Sequence, residues 1–533
     1  MDNNKLKLKS YQTIIRSLAS NIDKYEFIEI VFNEISKLYN VDGKSYYRMA
    51  QDNMLIIEMI LNETMGMRLL SKDKTIPSYL KFPLYKNNKP NVDNISCMSA
   101  NENKIINVDD IYSDTTFDFS GAKEFDKIKD YKTQSILSIP LNDYKSEVVG
   151  VIQLINPRNN NGELICFNKK MVEEMSDFIS QISSFLSISN LIQDLENLFD
   201  SMIRLVAQAI DEKSKYTGDH CQKVPEIAIM ITENICKTDK GYFKDFNLSK
   251  EELREMEIAS WLHDTGKIAI SPNISDKSTK LERITNGLDI IRYKIEILKR
   301  DRTISFLENK IEYINNNKIN KIDSLEKQLN KDIKDLDLLF RSICKANEGG
   351  ETLSDELKEK ILEASKLKIT IDKISQLFLD DYEKQALLIE LGTLTESERK
   401  EMERHVTLTY QLLNELPFPK EYKNVPIIAG LHHEKLDGSG YPFGKNKDEI
   451  ITQARILCFA DIFEALIAKN RPYKKPYKLS KAIKMMHKLS ADNKLDKEIF
   501  NAFLTEKIYL ICAEKFMDKE YIDKININDF LFN

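Results

Sequence analysis

The sequence predicts a multidomain chain: an α+β module first, then a helical linker, then an all-α module that carries a helical-hairpin insertion. Three observations predict this. The chain has 533 residues, which allows two to four domains. Strand-like runs fall before about residue 165, and beyond it apolar residues recur three and four apart almost to the end. A long polar stretch in the second half keeps that helical period on both sides of an asparagine-rich break.

The elements follow in order. Residues 1–168 form the first module. Phe27, Ile30, Val31, Ile35 and Leu38 share a helical face. Ser135–Pro140 and Val148–Ile155 read as adjacent strands, with Asn142–Ser146 as the hairpin turn between them. Two such strands predict an antiparallel sheet covered by helices. Residues 169–210 form the linker. Met175, Phe178, Ile182 and Phe185 are spaced three and four apart. Ile192 follows one heptad later, and Leu195, Phe199, Met202, Val206 and Ala209 resume the alternation. A dimeric signalling helix and a helix packed on its own module both fit this spacing.

Residues 211–533 form the third module. Ser249 with Glu252, and Thr395 with Glu398, are capping boxes that start two helices. The insertion spans about 277–391. Leu281, Ile284, Leu288, Ile291, Ile295 and Leu298 alternate, Asn315–Asn317 interrupts, and Ile322, Leu325, Leu329, Ile333 and Leu336 resume. A repeat, a polar break and a second repeat predict an antiparallel helical hairpin. Asn347–Gly350 ends it, and Ser354 caps a further helix.

Composition narrows the functional classes. Net charge is -6, so no broad nucleic-acid surface and no DNA partner are expected. No run approaches 18 apolar residues, and the opening residues hold no apolar core of signal-peptide length. The seven cysteines are scattered without CxxC pairs, as expected of reduced thiols in a cytoplasmic protein.

Histidine carries the information. Only six occur: His220, His263, His405, His432, His433 and His487. His263 and Asp264 stand in Leu262-His-Asp-Thr-Gly-Lys267. His432 and His433 open His432-His-Glu-Lys-Leu-Asp-Gly-Ser-Gly-Tyr-Pro442. Asp461 lies in Phe459–Leu466. Imidazoles and carboxylates in this number suit borderline divalent metals. Two such metals would neutralise a phosphodiester and provide a hydroxide near neutral pH. A carboxylate such as Asp264 can bridge two metals, which a neutral imidazole cannot.

These strings resemble the HD-GYP branch of the HD superfamily, over about Leu205 to Tyr509. The resemblance implies an all-helical metal-dependent phosphodiesterase that cleaves cyclic di-GMP. It implies one metal on His220, His263, Asp264 and Asp461, and another on Asp264, His405, His432 and His433. It implies that Asp264 bridges the metals, that Lys267 contacts the scissile phosphate, and that Glu434 and Asp437 orient the loop. Gly440, Tyr441 and Pro442 would shape the pocket mouth, and Arg471 and Lys474 would contact phosphate or guanine. His487 falls outside every motif and reads as an ordinary helix residue.

The first module resembles a GAF domain in Thr133–Leu141, Gly150–Asn156 and Asn107–Tyr112. The resemblance implies a sensor whose ligand is an unknown small molecule or none, and the linker implies a homodimer. Cys97 reads as a plain thiol. The spacing departs from compact family members, because 142 positions separate His263 from His405. The motifs resume intact after the insertion. A missing metal ligand would have pointed to a silent receptor, and none expected of a two-metal site is missing. Cleavage of another cyclic dinucleotide, such as cyclic GMP-AMP, stays open. In the family a third metal goes with a glutamate four residues before the first histidine. Tyr216 stands there, and Asp211 and Glu212 lie about two helical turns from His220, so two metals are expected, iron or manganese.

Overall fold

Short runs rich in β-branched and apolar residues form a sheet in the N-terminal part, and three-to-four apolar spacing forms the helices that flank and follow it. The structure, a computed structural model, describes residues 3–18, 22–50, 52–70, 80–213, 220–238, 241–350, 352–469 and 476–532. The chain divides into two compact units, Met1–Phe199 and Asp200–Asn533.

Unit 1 opens with helices α1 (Asn3–Leu18) and α2 (Lys24–Tyr39). Strands β1 (Val41–Ala50), β2 (Met54–Asn62), β3 (Met67–Leu70) and β4 (Lys81–Pro83) follow, with a short pair β5 (Tyr85–Lys86) and β6 (Lys89–Pro90). Helix α3 (Ile95–Glu102), β7 (Ile106–Val108), α4 (Ser120–Lys129), β8 (Ile136–Asn142), β9 (Val148–Pro157) and helix α5 (Lys169–Lys213) complete the order. The antiparallel sheet runs β3-β2-β1-β9-β8-β7, with β4 also paired to β2. The β8–β9 turn is held by Asp143, whose carboxylate accepts the Lys145 and Glu147 N–H groups at 2.8 and 2.9 Å.

One sheet face, with Tyr46, Ile152 and Leu154, packs against Phe27, Val31 and Ile35 of α2. Met175, Phe178 and Ile182 of α5 join this core, and Phe185 stacks on Phe27 at 4.2 Å. The first four linker positions therefore belong to the core of unit 1 and not to a seam between chains. Three-and-four spacing marks any buried helical face, whatever covers it. Cys97 is buried, and burial pushes its thiol up to about 12, as befits an unreactive side chain.

Unit 2 contains helices α6 (His220–Cys236), α7 (Lys250–Leu262), α8 (Pro272–Ser275), α9 (Gly287–Asn315), α10 (Ile322–Asn347) and α11 (Asp355–Ala364). Then come strands β10 (Lys368–Ile371) and β11 (Ile374–Leu377). Helices α12 (Asp381–Leu387), α13 (Glu396–Glu415), α14 (Val425–Gly430), α15 (Thr452–Ile467), α16 (Leu479–Ala491), α17 (Lys497–Thr505) and α18 (Ile508–Phe516) end it. Both capping boxes form, at Ser249–Glu252 and Thr395–Glu398. The main core joins α6, α7, α14 and α15 through residues such as Val224, Ala259, Ile428 and Phe459. His487 stacks on Phe532 at 4.6 Å, which accounts for it structurally. No helix among the described residues is long and apolar enough to cross a membrane.

The insertion is more than a helical hairpin. Helices α9 and α10 pair as expected, but α11, α12 and the β10–β11 hairpin join them around Leu281, Ile291, Ile343 and Phe378. Strands of only four residues each are too short for a period to stand out in the sequence. At its root, Lys277 donates to both Glu398 oxygens at 2.8 and 2.7 Å, and Lys280 donates to the Ile389 carbonyl at 2.7 Å. Its far end is different: Leu298 and Ile343 are the outermost buried residues on α9 and α10. Replacing residues 300–335 with a short turn should therefore shift the unfolding temperature by no more than about 3 °C. Calorimetry checks this, and a collapse of the transition would show that the tip carries hidden packing.

Candidate metal centre

Helix ends bring the site together. His220 is the first residue of α6, and His263 caps the C-terminus of α7. Asp264 precedes a 3-10 turn, Thr265–Ala269, that carries Lys267. His405 lies within α13, His432 and His433 follow α14, and Asp461 lies within α15. Gly266 lets the 3-10 turn press onto α13: a Cβ there would run into the His405 carbonyl, and the Gly266 N–H donates to Thr409 Oγ1 at 2.8 Å.

Three histidines are oriented by their own helix. Each Nδ1 meets the carbonyl three residues back: His263 with Ser260 at 2.7 Å, His405 with Met402 at 2.5 Å, and His432 with Ala429 at 2.6 Å. That contact makes Nδ1 the protonated nitrogen and leaves Nε2 as a bare lone pair. His220 starts its helix and has no such carbonyl within it. Its Nδ1 meets Glu464 Oε2 at 2.7 Å instead.

The free ends converge on Asp264, which is 2% exposed. Asp264 Oδ2 lies 3.4 Å from Nε2 of both His220 and His263. Asp264 Oδ1 lies 3.4 Å from His405 Nε2 and 3.9 Å from His432 Nε2. Asp461 Oδ1 lies 3.3 Å from His220 Nε2. Three donor sets result among the described residues: His220–His263–Asp461, His405–His432–His433, and His263–Asp264–His432, which joins the other two. His263 Nε2, His405 Nε2, His432 Nε2 and Asp264 Oδ1 are buried and make no hydrogen bond. Buried polar atoms are rarely left so. Four such atoms aimed at one another fit divalent cations, and the imidazole–carboxylate donor set suits borderline ions.

The electrostatics differ across the site. Burial tends to raise the Asp264 carboxyl, but Lys267 and His263 outweigh it and hold it well below the usual range. Burial, reinforced by His433 and His263, holds His432 well below the ordinary imidazole value, and burial takes His433 down to about 3. Both are neutral and ready to ligate. Burial would also lower His220, but Asp264, Asp461 and Glu464 outweigh it and hold it well above the ordinary value. Lys267 Nζ sits 2.5 Å from Asp264 Oδ2.

The loop after His433 is fixed by Glu434, whose two oxygens accept the Phe443 and Lys445 N–H groups at 2.7 and 2.9 Å. Gly440 packs on the Glu434–Lys435 backbone, where a Cβ would not fit. The Tyr441 ring lies 4.9 Å from the His433 ring, and Pro442 follows it through a cis bond. Asp437 is exposed and accepts from the Ser439 N–H and hydroxyl, so it shapes the turn without touching a ligand. Arg471, Lys474 and Tyr216 lie outside the described residues.

Two findings go beyond the sequence reading. Glu464 was given no role there, although it stands three residues after Asp461 on the same helical face. Asp211 was placed about two turns from His220. Its carboxylate in fact accepts the Cys221 N–H at 3.1 Å, because α5 ends at Lys213 and a separate helix starts at His220. Helical spacing therefore gives no argument about the number of metals.

Residues 383–499 match the family model of the HD domain, so unit 2 carries an HD domain. The chain is 41% identical over 117 residues to 3'3'-cGAMP-specific phosphodiesterase 3 of Vibrio cholerae, covering 22% of this chain and 24% of that protein. It is 35% identical over 137 residues to a cyclic di-GMP phosphodiesterase of Thermotoga maritima, covering 23% and 35%. It is 38% identical over 103 residues to the cyclic di-GMP phosphodiesterase response regulator RpfG of Xanthomonas campestris, covering 19% and 26%. The chain thus spans about a quarter to a third of the length of these curated relatives. The GAF domain of an Acinetobacter phosphoenolpyruvate-protein phosphotransferase is similar at 12% identity and TM-score 0.26, covering 35% of this chain and 97% of that one.

A raised His220 means that a proton competes with metal at that nitrogen. Manganese affinity should fall as pH drops through the raised His220 value, so the loss begins above the ordinary imidazole range, and binding should release protons. Calorimetry in two buffers of different ionisation enthalpy reads both. Glu464→Gln should weaken manganese binding about 10- to 100-fold. Unchanged affinity in that variant would remove Glu464 from the site.

Proposed function

We propose that the chain is a metal-dependent phosphodiesterase that cleaves cyclic di-GMP, regulated by its N-terminal unit. The observation that carries the reading is the split of Asp264: one oxygen faces His220 and His263, the other His405 and His432. One metal would rest on His220, His263, Asp264 and Asp461, the other on Asp264, His405, His432 and His433. Two divalent ions held there, iron or manganese, would supply charge neutralisation and a hydroxide nucleophile near neutral pH.

The chain's own residues do the rest. Lys267 stays charged, because Asp264 raises its ammonium against the opposing effect of burial, and it faces the scissile phosphate. Glu434 holds the loop that presents Tyr441 at the pocket mouth. The oxygen of water joins phosphorus, the bond to the 3′ oxygen breaks, and that oxygen takes a proton. The product is a linear dinucleotide. A mixed substrate is the second reading, because a relative of 41% identity is named a 3'3'-cGAMP-specific phosphodiesterase.

Regulation would pass along α5. Ile192, Leu195, Phe199, Met202 and Val206 are exposed at 52, 56, 38, 57 and 39%. Their heptad spacing suits a coiled coil with the same helix of a second copy.

Asp264→Ala should lower turnover by at least about 1,000-fold, and Lys267→Met by about 100-fold with metal content intact. Product analysis on cyclic di-GMP and cyclic GMP-AMP checks both variants and ranks the two substrates. Wild-type rates in metal-loaded Asp264→Ala would sink the reading. Leu195→Glu with Met202→Glu should convert a dimer to a monomer in light scattering. An unaltered mass would mean that this stripe does not pair chains.

A further inference from the structure

The last turn of α5 reaches two segments of the candidate metal centre at once. Ile203, Ala207 and Ile210 are buried, and Ile203 belongs to the main core of unit 2. Just beyond them, Lys213 Nζ donates to the carbonyls of Ile268 at 2.5 Å, Ile270 at 2.6 Å and Lys267 at 3.3 Å. These carbonyls close the 3-10 turn that follows Asp264 and carries Lys267. A lysine ammonium has three donors, and here all three are spent on one turn. A cation also suits the carbonyl end of a helical turn.

Two residues earlier, Asp211 is 4% exposed, and its Oδ2 accepts the Cys221 N–H at 3.1 Å. Cys221 is the second residue of α6, directly after His220. That N–H is one that a helix start leaves without an intrahelical partner. So one helical turn grips the segment of Asp264 and Lys267 with one side chain, and the segment of His220 with another.

We propose that Lys213 and Asp211 are positioning residues: Lys213 sets the 3-10 turn that aims Lys267, and Asp211 sets the first turn of α6 that aims His220. Neither touches substrate or metal. A shift of α5 then moves a metal ligand and the phosphate-facing lysine together. The turnover arm of the test rests on the hydrolase reading above, and the metal arm does not.

The test uses the full chain. Lys213→Met should lower kcat on cyclic di-GMP about ten-fold or more, leave KM within about three-fold and leave metal stoichiometry unchanged. Lys213→Arg, which keeps the donors, should recover most of the rate. Asp211→Ala should weaken manganese binding about ten-fold, and Asp211→Asn, which keeps an acceptor, should bind as the wild type does. Wild-type kcat in Lys213→Met, or an arginine variant no faster than the methionine one, overturns the role of Lys213. Wild-type manganese affinity in Asp211→Ala overturns that of Asp211. Should Lys213→Met not fold, Lys213→Gln takes its place. If the wild type cleaves no cyclic dinucleotide, the hydrolase reading fails, and the manganese arm still decides the role of Asp211.

Discussion

A carboxylate buried to 2% exposure, as Asp264 is, constrains everything placed around it. An uncompensated charge at such depth costs several kcal/mol, of the order known for buried ions. Here the compensation comes from Lys267 and from His220, which neighbouring carboxylates keep protonated, while the bare nitrogens of His263, His405 and His432 face the carboxylate without neutralising it. Each partner sits on a different segment. The ends of α6 and α7, the middle of α13 and the turn after α14 must all arrive within a few ångströms of one another. The apolar core beneath them, from Val224 to Phe459, is what allows them to do so.

The way each imidazole is aimed follows from its place in a helix. His263, His405 and His432 have a carbonyl three residues back, so their orientation is local and is built as soon as the helix forms. His220 opens α6 and depends on Glu464 from α15. That donor set therefore assembles only when two distant helices have packed. The same dependence makes His220 the imidazole that several carboxylates surround, and so the one whose proton competes with metal.

The insertion interrupts the chain between Asp264 and His405 without separating them in space. Its root is stitched to the start of α13 by Lys277 and Glu398, and its small core is its own. The long helix α5 behaves in two ways along its length. Its first half is part of the unit 1 core, and its last turn is bonded to the segments that bear Asp264 and His220. Between these lies an exposed apolar stripe.

The sequence by itself determined whatever depends on local order. Helical period, the capping boxes at Ser249 and Thr395, and the β8–β9 hairpin are properties of neighbours in the chain. The residue types of the site were equally legible, because histidine is scarce here and falls inside short strings. Tertiary structure decided the rest. Spacing could not tell whether Met175, Phe178 and Ile182 face a sheet or another chain, because a buried stripe looks the same in both cases. It did not mark β1 to β4 either: β1–β2 and β2–β3 pair between neighbours in the chain, but a run such as Met54–Asn62, apolar almost throughout, shows no period, and the pairing of β1 with distant β9 leaves no local trace. Nor could it find the roles of Glu464, Asp211 and Lys213. Their partners are 244, 10 and 54 to 57 residues away, and a hydrogen bond across such separations exists only once the helices have packed.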